Sequence, residues 1–292
     1  MKKYLIILPV ICILIALILT GCTAQKEGEE KTKIVTSFYP MYVMLENITK
    51  GVEDVTLENM TQTTVGCLHN YTLQTSDLRK IEKADIFIEN GLGLENFIDK
   101  ITKDYPKLKI IDASKADIKT IIDEEGENGH IWNSIVNYKK QIRYIQGELS
   151  KYDEKNRLMY KENADKYIEK IDKIDTYKAE NEETVISCNE ALAYILNDAN
   201  LETIEVYTDH DQSSLSSGKI SEVIDEAKEK NVKAIFVEKN DNIKNAQIIA
   251  NETGAKIIRL DAGLTGNFAE DSYINSMTEN YKKIKEIFEN KD

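Results

Sequence analysis

The 292-residue chain is poor in proline and histidine and carries no excess of basic side chains. Its three prolines are too few for proline-rich linkers or long disordered arms. Acidic residues outnumber basic ones, which gives a formal net charge of −13, and no basic patch offsets that charge. Because proteins bind nucleic acids largely through lysine and arginine contacts to phosphate, we expect no nucleic-acid partner.

Several enzyme motifs are also missing from the sequence. It contains no G-x-x-x-x-G-K-[ST] loop to hold the phosphates of ATP, no H-E-x-x-H helix and no G-x-S-x-G nucleophile elbow. The chain is therefore not expected to hydrolyse ATP itself or to act as an enzyme.

The one long apolar run lies at the N-terminus. Two lysines precede "YLIILPVICILIALILT", and the pair Gly21-Cys22 follows it. This layout is typical of a signal peptide, although a single membrane-spanning anchor is the alternative. The tetrapeptide "LTGC" resembles the lipobox of bacterial lipoproteins, in which the cysteine carries the lipid. We therefore predict a signal peptide over residues 1–21, a lipid on Cys22 and a polar tether over 22–32.

Two cysteines remain in the predicted mature chain, Cys67 and Cys188. In an exported protein they could form a disulfide, or each could be a small buried side chain. The sequence does not decide between these two states.

From residue 33 onward, short β-branched segments alternate with segments of helical periodicity. This alternation predicts βα units on largely parallel sheets, and the pattern occurs twice, with four strands in each half. Gly254 is expected to end the last of these helices in a left-handed conformation. Strands are predicted over 33–39, 54–60, 85–90, 107–113, 184–189, 202–208, 233–238 and 256–262, and helices over 75–84, 94–105, 218–231 and 242–254.

A different segment connects the two halves. It is rich in lysine, glutamate, tyrosine and isoleucine at helical spacing, and residues 154–181 are predicted to form one helix of about 40 Å. The predicted fold is α/β, with two similar four-stranded parallel-sheet lobes joined by one long rigid helix and a site in the cleft between them. The predicted lobes are residues 33–133 and 184–292, joined by residues 134–183.

Several polar side chains follow predicted strands, at the sheet edge where ligands bind in parallel α/β proteins. Imidazoles combined with a carboxylate suit a divalent transition metal. Taken singly, each residue also has a simpler interpretation as a solvated, capping or packing side chain, so the metal interpretation depends on their joint placement. These candidates are His69, His130, Asn189, Glu190, His210 and Asp261.

Further motifs resemble the zinc and manganese solute-binding lipoproteins of bacterial ABC importers. The resemblance covers residues 33–290 and is most specific in "HNYTLQTSDLRKIEKADIFIENGLGLE". "TSFYPMYVM", "GHIWNS", "VKAIFVE", "IANETGAKIIRLDA" and "YINSMTENY" occur in the order expected for the family. The fold that this resemblance implies is two α/β lobes bridged by one long helix.

The resemblance implies His69, His130 and Asp261 as metal ligands. Where family members have histidine or glutamate as the remaining ligand, this chain has Asn189, whose carbonyl oxygen is a weak ligand for zinc. Three interpretations remain open: Asn189 coordinates weakly, His210 substitutes for it, or the site has degenerated. We favour substitution by His210, and Glu190 is a further candidate for the vacant position.

The implied function is capture of a divalent metal ion, Zn²⁺ before Mn²⁺, as the transported ligand. The protein would be a monomer on the outer face of the cell membrane, anchored by the lipid on Cys22. It would deliver the ion to an ABC permease energised by a separate ATPase subunit. The alternatives are a metal-dependent hydrolase, or a cell-adhesion or docking protein that uses the same scaffold with a degraded metal site.

Overall fold

Two four-stranded parallel sheets organise the fold. The computed structural model describes residues 31–62, 66, 68–69, 71–123, 126–207 and 215–289. The strands of the first sheet are β1 (Thr32–Thr36), β2 (Val55–Asn59), β3 (Ile86–Glu89) and β4 (Lys109–Asp112). The strands of the second sheet are β7 (Glu183–Ser187), β8 (Leu201–Glu205), β9 (Ala234–Glu238) and β10 (Lys256–Leu260). A short antiparallel pair, β5 (Ile122–Asp123) with β6 (Gly126–Glu127), lies between the two sheets in the sequence.

Helices connect the strands and cover the sheets. In chain order they are α1 (Tyr39–Ile48), α2 (Thr75–Ile81), α3 (Ile98–Asp104), α4 (Ile135–Tyr152), α5 (Arg157–Ile171), α6 (Ala193–Asp198), α7 (Ser217–Glu229), α8 (Lys244–Thr253) and α9 (Ser272–Glu289).

The two sheets have the same topology. The strand order is β2-β1-β3-β4 in the first sheet and β8-β7-β9-β10 in the second, and every neighbouring pair in both sheets is parallel. In each sheet the second strand lies on one side of the first strand and the third strand lies on the other side. The strand order therefore reverses at β1 and at β7, and each reversal is a topological switch point. Ligands of open α/β sheets bind beyond the strands' carboxyl ends at such points.

The predicted strands and helices are confirmed with small shifts at their ends. The largest shift is in α3, which was expected to begin at residue 94 but begins at Ile98. Strand β1 was expected to reach residue 39 but ends at Thr36, because Pro40 stands in the first turn of α1. Gly254 has φ +76° and closes α8 as predicted, since a left-handed residue without a Cβ carries no steric penalty there.

The single helix predicted over residues 154–181 is not what forms. A 3₁₀ turn at Glu154–Asn156 separates α4 from α5, and α5 ends at Ile171. Residues 173–182 form neither helix nor strand, yet Ile174 and Ala179 in this segment are buried. The bridge between the sheets is therefore two helices packed against each other, followed by an irregular segment held in place by its apolar side chains.

One apolar core extends across both sheets. It includes Phe38 and Ile88 from the first half of the chain and Leu192, Phe236 and Tyr281 from the second. A smaller cluster lies on the other face of the second sheet. From Thr32 onward the chain forms one compact unit. None of the helices described here has both the length and the apolar character needed to cross a bilayer.

Candidate metal centre

His69, His130 and Glu190 converge on one point. One potential ligand atom from each side chain lies within 4.8 Å of the other two. Glu190 Oε1 is 3.6 Å from His69 Nε2 and 3.9 Å from His130 Nε2. The two imidazole ring centroids are 5.4 Å apart. The structure thus brings together two of the predicted ligands and the glutamate that the sequence offered as a further candidate.

The dimensions of this cluster suit a small divalent ion. A tetrahedral zinc ion lies about 2.0–2.2 Å from nitrogen and oxygen ligands, which places two ligands about 3.3–3.6 Å apart. The separations of 3.6 and 3.9 Å from Glu190 Oε1 are at or slightly above this spacing, and all three ligand atoms lie within 4.8 Å of one another. The His130 side chain is 2% exposed, while those of His69 and Glu190 are 26% and 21% exposed, although the His69 Nε2 atom itself is buried.

The strand ends explain why these three residues meet. His69 lies in the connection after β2, and His130 lies in the connection after β4, directly before a 3₁₀ turn at Ile131–Asn133. Glu190 comes three residues after the end of β7, at the switch point of the second sheet. Two candidate ligands therefore come from the first half of the chain and one from the second.

Asn128 positions the buried histidine. Its Oδ1 accepts a hydrogen bond from the His130 backbone N–H at 2.9 Å and lies 3.0 Å from His130 Nδ1. With the proton on Nδ1, the unprotonated Nε2 faces the cluster, which is the tautomer that a metal ion requires. The same Asn128 donates from Nδ2 to the backbone oxygen of Glu190 at 3.1 Å. One amide thus connects ligands that come from the two halves of the chain.

Asn189 has a different set of partners. Its Oδ1 accepts a hydrogen bond from the backbone N–H of Ala191 at 2.9 Å, and its Nδ2 donates to Asp241 Oδ2 at 2.8 Å. The first bond caps the 3₁₀ turn Glu190–Leu192. Both ends of the amide are therefore engaged in the structure, and it is the next side chain, Glu190, that reaches the histidines.

Asp261 is connected to the cluster through its neighbour Ala262 and Trp132, and it is paired with a lysine. Its Oδ1 lies 2.8 Å from Lys239 Nζ, and its Oδ2 accepts a hydrogen bond from Ser276 Oγ at 2.7 Å. The neighbouring Ala262 accepts a hydrogen bond from Trp132 Nε1 at 2.9 Å, and the Trp132 ring lies 5.2 Å from that of His130. Asp261 is not among the residues of the three-membered cluster.

The other residues singled out in the sequence are either not part of the cluster or not among the residues that the structure describes. His210, the predicted lipidation site Cys22 and Cys67 lie outside the described residues. Cys188 is a free cysteine, and burial raises the pKa of its thiol to about 12. Such a thiol stays protonated at neutral pH and is a poor nucleophile and metal ligand, in agreement with a structural role.

Asn128 and Lys239 were not recognised from the sequence. A local signal existed for Asn128, because an asparagine two residues before a turn often bonds the backbone ahead of it. No local signal marks Lys239, since its partner is 22 residues away and lies on the neighbouring strand.

Comparison with known proteins identifies the family to which this chain belongs. A family model described as ZnuA, "Zinc-uptake complex component A periplasmic", matches residues 34–287. The chain belongs to this family. The resemblance found in the sequence motifs is thereby confirmed.

Two relatives align with nearly the whole chain. The manganese-binding lipoprotein MntA of Halalkalibacterium halodurans is 28% identical over 287 residues, covering 92% of this chain and 94% of the relative. The high-affinity zinc uptake system protein ZnuA of Bacillus subtilis is 27% identical, covering 91% and 90%. These proteins are binding and uptake components, so the family supports a transport receptor and does not support the hydrolase alternative.

The fold is shared with solved structures. The solute-binding protein FpvC of Pseudomonas aeruginosa, solved with Mn²⁺, superposes with a TM-score of 0.78 over 90% of this chain and all of that chain, at 22% identity. The α/β fold predicted from the sequence, with its paired parallel sheets, is therefore confirmed.

Proposed function

We propose that this protein captures a divalent transition-metal ion with His69, His130 and Glu190 and delivers it to an ABC permease. The observation that carries the proposal is the convergence of two imidazole nitrogens and one carboxylate oxygen within 4.8 Å. The family match supports transport rather than catalysis as the role of the bound ion. The ion is thus the cargo of the protein.

We further propose that zinc binds more tightly than manganese. Two histidines and one glutamate form a known ligand set for zinc, and a site of nitrogen and oxygen donors generally binds zinc more strongly than manganese. A further carboxylate in the coordination sphere would move the preference toward manganese, because hard oxygen donors suit that ion. The named relatives include both a manganese-binding and a zinc-uptake protein, so measurement must decide.

The cellular location is part of the proposal. The N-terminal signal sequence and "LTGC" support lipid attachment at Cys22, and the MntA relative is itself named a lipoprotein. An anchor of this kind would hold the metal-binding domain at the outer face of the membrane, where a permease could receive the ion. Energy for transport would come from a separate ATPase subunit, since this chain has no phosphate-binding glycine loop.

Metal content and affinity test the proposal. The purified protein is stripped with a chelator and titrated with Zn²⁺ and Mn²⁺ separately, alongside His69→Ala, His130→Ala and Glu190→Gln. The matched control is Glu229→Gln, because Glu229 is an exposed glutamate on α7, away from the cluster in sequence. We expect one ion per wild-type molecule, unchanged binding in the control, and affinity reduced at least about tenfold in each cluster variant.

Two further variants separate the alternatives for the remaining ligand. If Glu190 is the ligand, His210→Ala and Asn189→Ala retain tight binding, whereas Glu190→Gln does not. If His210→Ala abolishes binding while Glu190→Gln has no effect, the assignment of Glu190 is wrong and substitution by His210 is supported. A wild-type protein that retains neither ion would contradict the proposed function and favour a docking role for the scaffold.

A further inference from the structure

Lys239 and Asp261 are neighbours because the second sheet is in register. The last paired residues of β9 and β10 are Glu238 and Leu260, and the Lys239 backbone N–H continues the ladder by donating to the Leu260 oxygen at 2.8 Å. The next residue on each strand is therefore Lys239 and Asp261. Their side chains meet just past the carboxyl edge of the sheet, with Nζ 2.8 Å from Oδ1.

The Asp261 carboxylate is held from several directions. Besides the ammonium of Lys239, Oδ1 accepts the backbone N–H of Gly263 at 2.8 Å, and Oδ2 accepts the hydroxyl of Ser276 at 2.7 Å. The backbone of Asp261 is fixed by the buried Asn280, which accepts from its N–H and donates to its oxygen. Oδ1 thus has two donors and Oδ2 one, so an ion in the cluster would have to compete with Lys239 for Oδ1 or share Oδ2 with Ser276.

The ion pair is connected to the metal centre through Trp132. Asp261 precedes Ala262, which is bonded to Trp132, and the Trp132 ring packs against His130. The Lys239 side chain is only 33% exposed and that of Asp261 23%, so water screens the pair less than it would on an open surface. A cation 2.8 Å from Asp261 Oδ1 engages that oxygen and opposes the approach of a second positive charge to the carboxylate.

We propose that Lys239 determines metal selectivity by withholding Asp261 from the metal. In this arrangement the protein supplies His69, His130 and Glu190, and the remaining coordination position is left to water. Loss of one hard oxygen donor weakens binding of Mn²⁺ more than binding of Zn²⁺, because carboxylate ligands contribute a larger share of manganese affinity. This inference depends on the function proposed above and specifies which ion its site prefers.

A double-mutant cycle measures the effect. Affinities for Zn²⁺ and Mn²⁺ are determined by calorimetry or chelator competition for the wild type, Lys239→Leu, Asp261→Asn and the double variant. In the wild-type background, Asp261→Asn should change either affinity by less than about threefold. In the Lys239→Leu background the same change should weaken Mn²⁺ binding about 10- to 100-fold, the range found when groups that orient or supply ligands are removed.

Two controls separate the ion pair from a general charge effect. Lys239→Arg keeps the cation and should preserve the wild-type ratio of zinc to manganese affinity. Lys244→Leu removes an exposed lysine from the same half of the chain and should leave that ratio unchanged within about twofold. Lys239→Leu alone should shift the ratio toward manganese, so the test does not depend on whether Asp261→Asn folds.

The outcomes that overturn the inference differ from those that overturn the proposed function. An equal loss of affinity on Asp261→Asn in both backgrounds would show that Asp261 coordinates despite Lys239. An unchanged metal ratio in Lys239→Leu would also contradict the inference, while the three-residue cluster remained supported. Absence of metal binding in the wild type would instead remove the proposed function and this inference together.

Discussion

Glu89 is a carboxyl group buried at the end of β3. It is 7% exposed, and burial, together with the nearby Glu95 and Asp112, raises its pKa to about 9. In the unfolded chain a glutamate titrates near its ordinary value of about 4.3. Between these two values the folded state binds more protons than the unfolded state, so stability falls as the pH rises through this range.

Glu89→Gln should remove this dependence on pH. The free energy of unfolding of the variant minus that of wild type should be small at pH 5. At pH 8 this difference should be larger, in favour of the variant, by about 1 kcal/mol or more. Urea denaturation at both pH values checks the effect, with Glu53→Gln as the control because Glu53 is exposed. If the difference in free energy of unfolding between variant and wild type is the same at pH 5 and pH 8, Glu89 is not protonated in the folded protein.

A one-residue difference in position decides which side chain of the second sheet reaches the two histidines. The motif comparison pointed to Asn189, because the sequence alone does not show where a strand ends and a turn begins. In the structure β7 ends at Ser187, and the capping bond from Ala191 to Asn189 turns the backbone so that Glu190 meets the histidines. Whether Glu190 binds the ion stays a prediction for the titrations above.

At the scale of elements, Asp153 separates α4 from α5. Its Oδ1 accepts from the backbone N–H of Asn156, and its Oδ2 accepts from the Asn156 amide and the Tyr160 hydroxyl, both at 2.7 Å. Asn156 also donates to Asp54, beside the start of β2. This network satisfies the backbone N–H of Asn156 in the 3₁₀ turn that precedes the second helix, and it fixes the turn against the first sheet.

Asp153→Ala should lower the free energy of unfolding by about 1–3 kcal/mol, because it removes a helix cap and leaves partly buried donors without partners. Glu154→Ala, at the exposed neighbouring position, is the control and should stay within about 0.5 kcal/mol of wild type. Thermal or urea denaturation of both variants gives the comparison. An Asp153→Ala protein as stable as the control would show that the turn does not depend on this cap.

The same network lies at the start of the helix predicted over residues 154–181, at a boundary between two helices that the sequence did not mark. Helical periodicity reports which face of a segment is apolar, and it continues across a tight turn when both helices pack on the same core. Glu154 and Lys155 within the 3₁₀ turn are ordinary helix formers, so the composition does not mark the break. Asp153 becomes a cap only because Asn156 and Tyr160 are brought to it.

For the whole molecule, the shared core limits how far the two sheets can move. Phe38 and Trp132 from the first half of the chain belong to the same apolar cluster as Leu192 and Tyr281 from the second. Two hydrogen bonds reinforce this contact, from Tyr39 to the Asn267 oxygen and from Tyr273 to the Trp132 oxygen. Wide opening of the site would expose this apolar surface to water, at a high cost in free energy.

Metal binding should therefore stabilise the protein without a large change in shape. At a free Zn²⁺ concentration 100 times the dissociation constant, the free energy of unfolding should rise by about 2.7 kcal/mol, which thermal denaturation detects as a higher Tm. Small-angle scattering of the stripped and loaded protein should show no large compaction. His130→Ala should lose the increase in Tm, and a marked fall in radius of gyration on loading the wild type would contradict the rigid-core argument.

The sequence by itself determined the local order of the molecule: eight strands in two equivalent sets, the helices between them, the family, and the two histidines of the candidate site. These features follow from hydrophobic periodicity and from motifs contiguous in the chain, which act over a few residues. Tertiary structure decided the break at Asp153, the choice of Glu190 over Asn189 in the cluster, and the pairing of Asp261 with Lys239. The last two depend on atoms from distant segments meeting at a distance of a hydrogen bond or ion pair, which no local pattern records. The break at Asp153 uses partners within seven residues, and the bond from Asn156 to Asp54 attaches it to the first sheet.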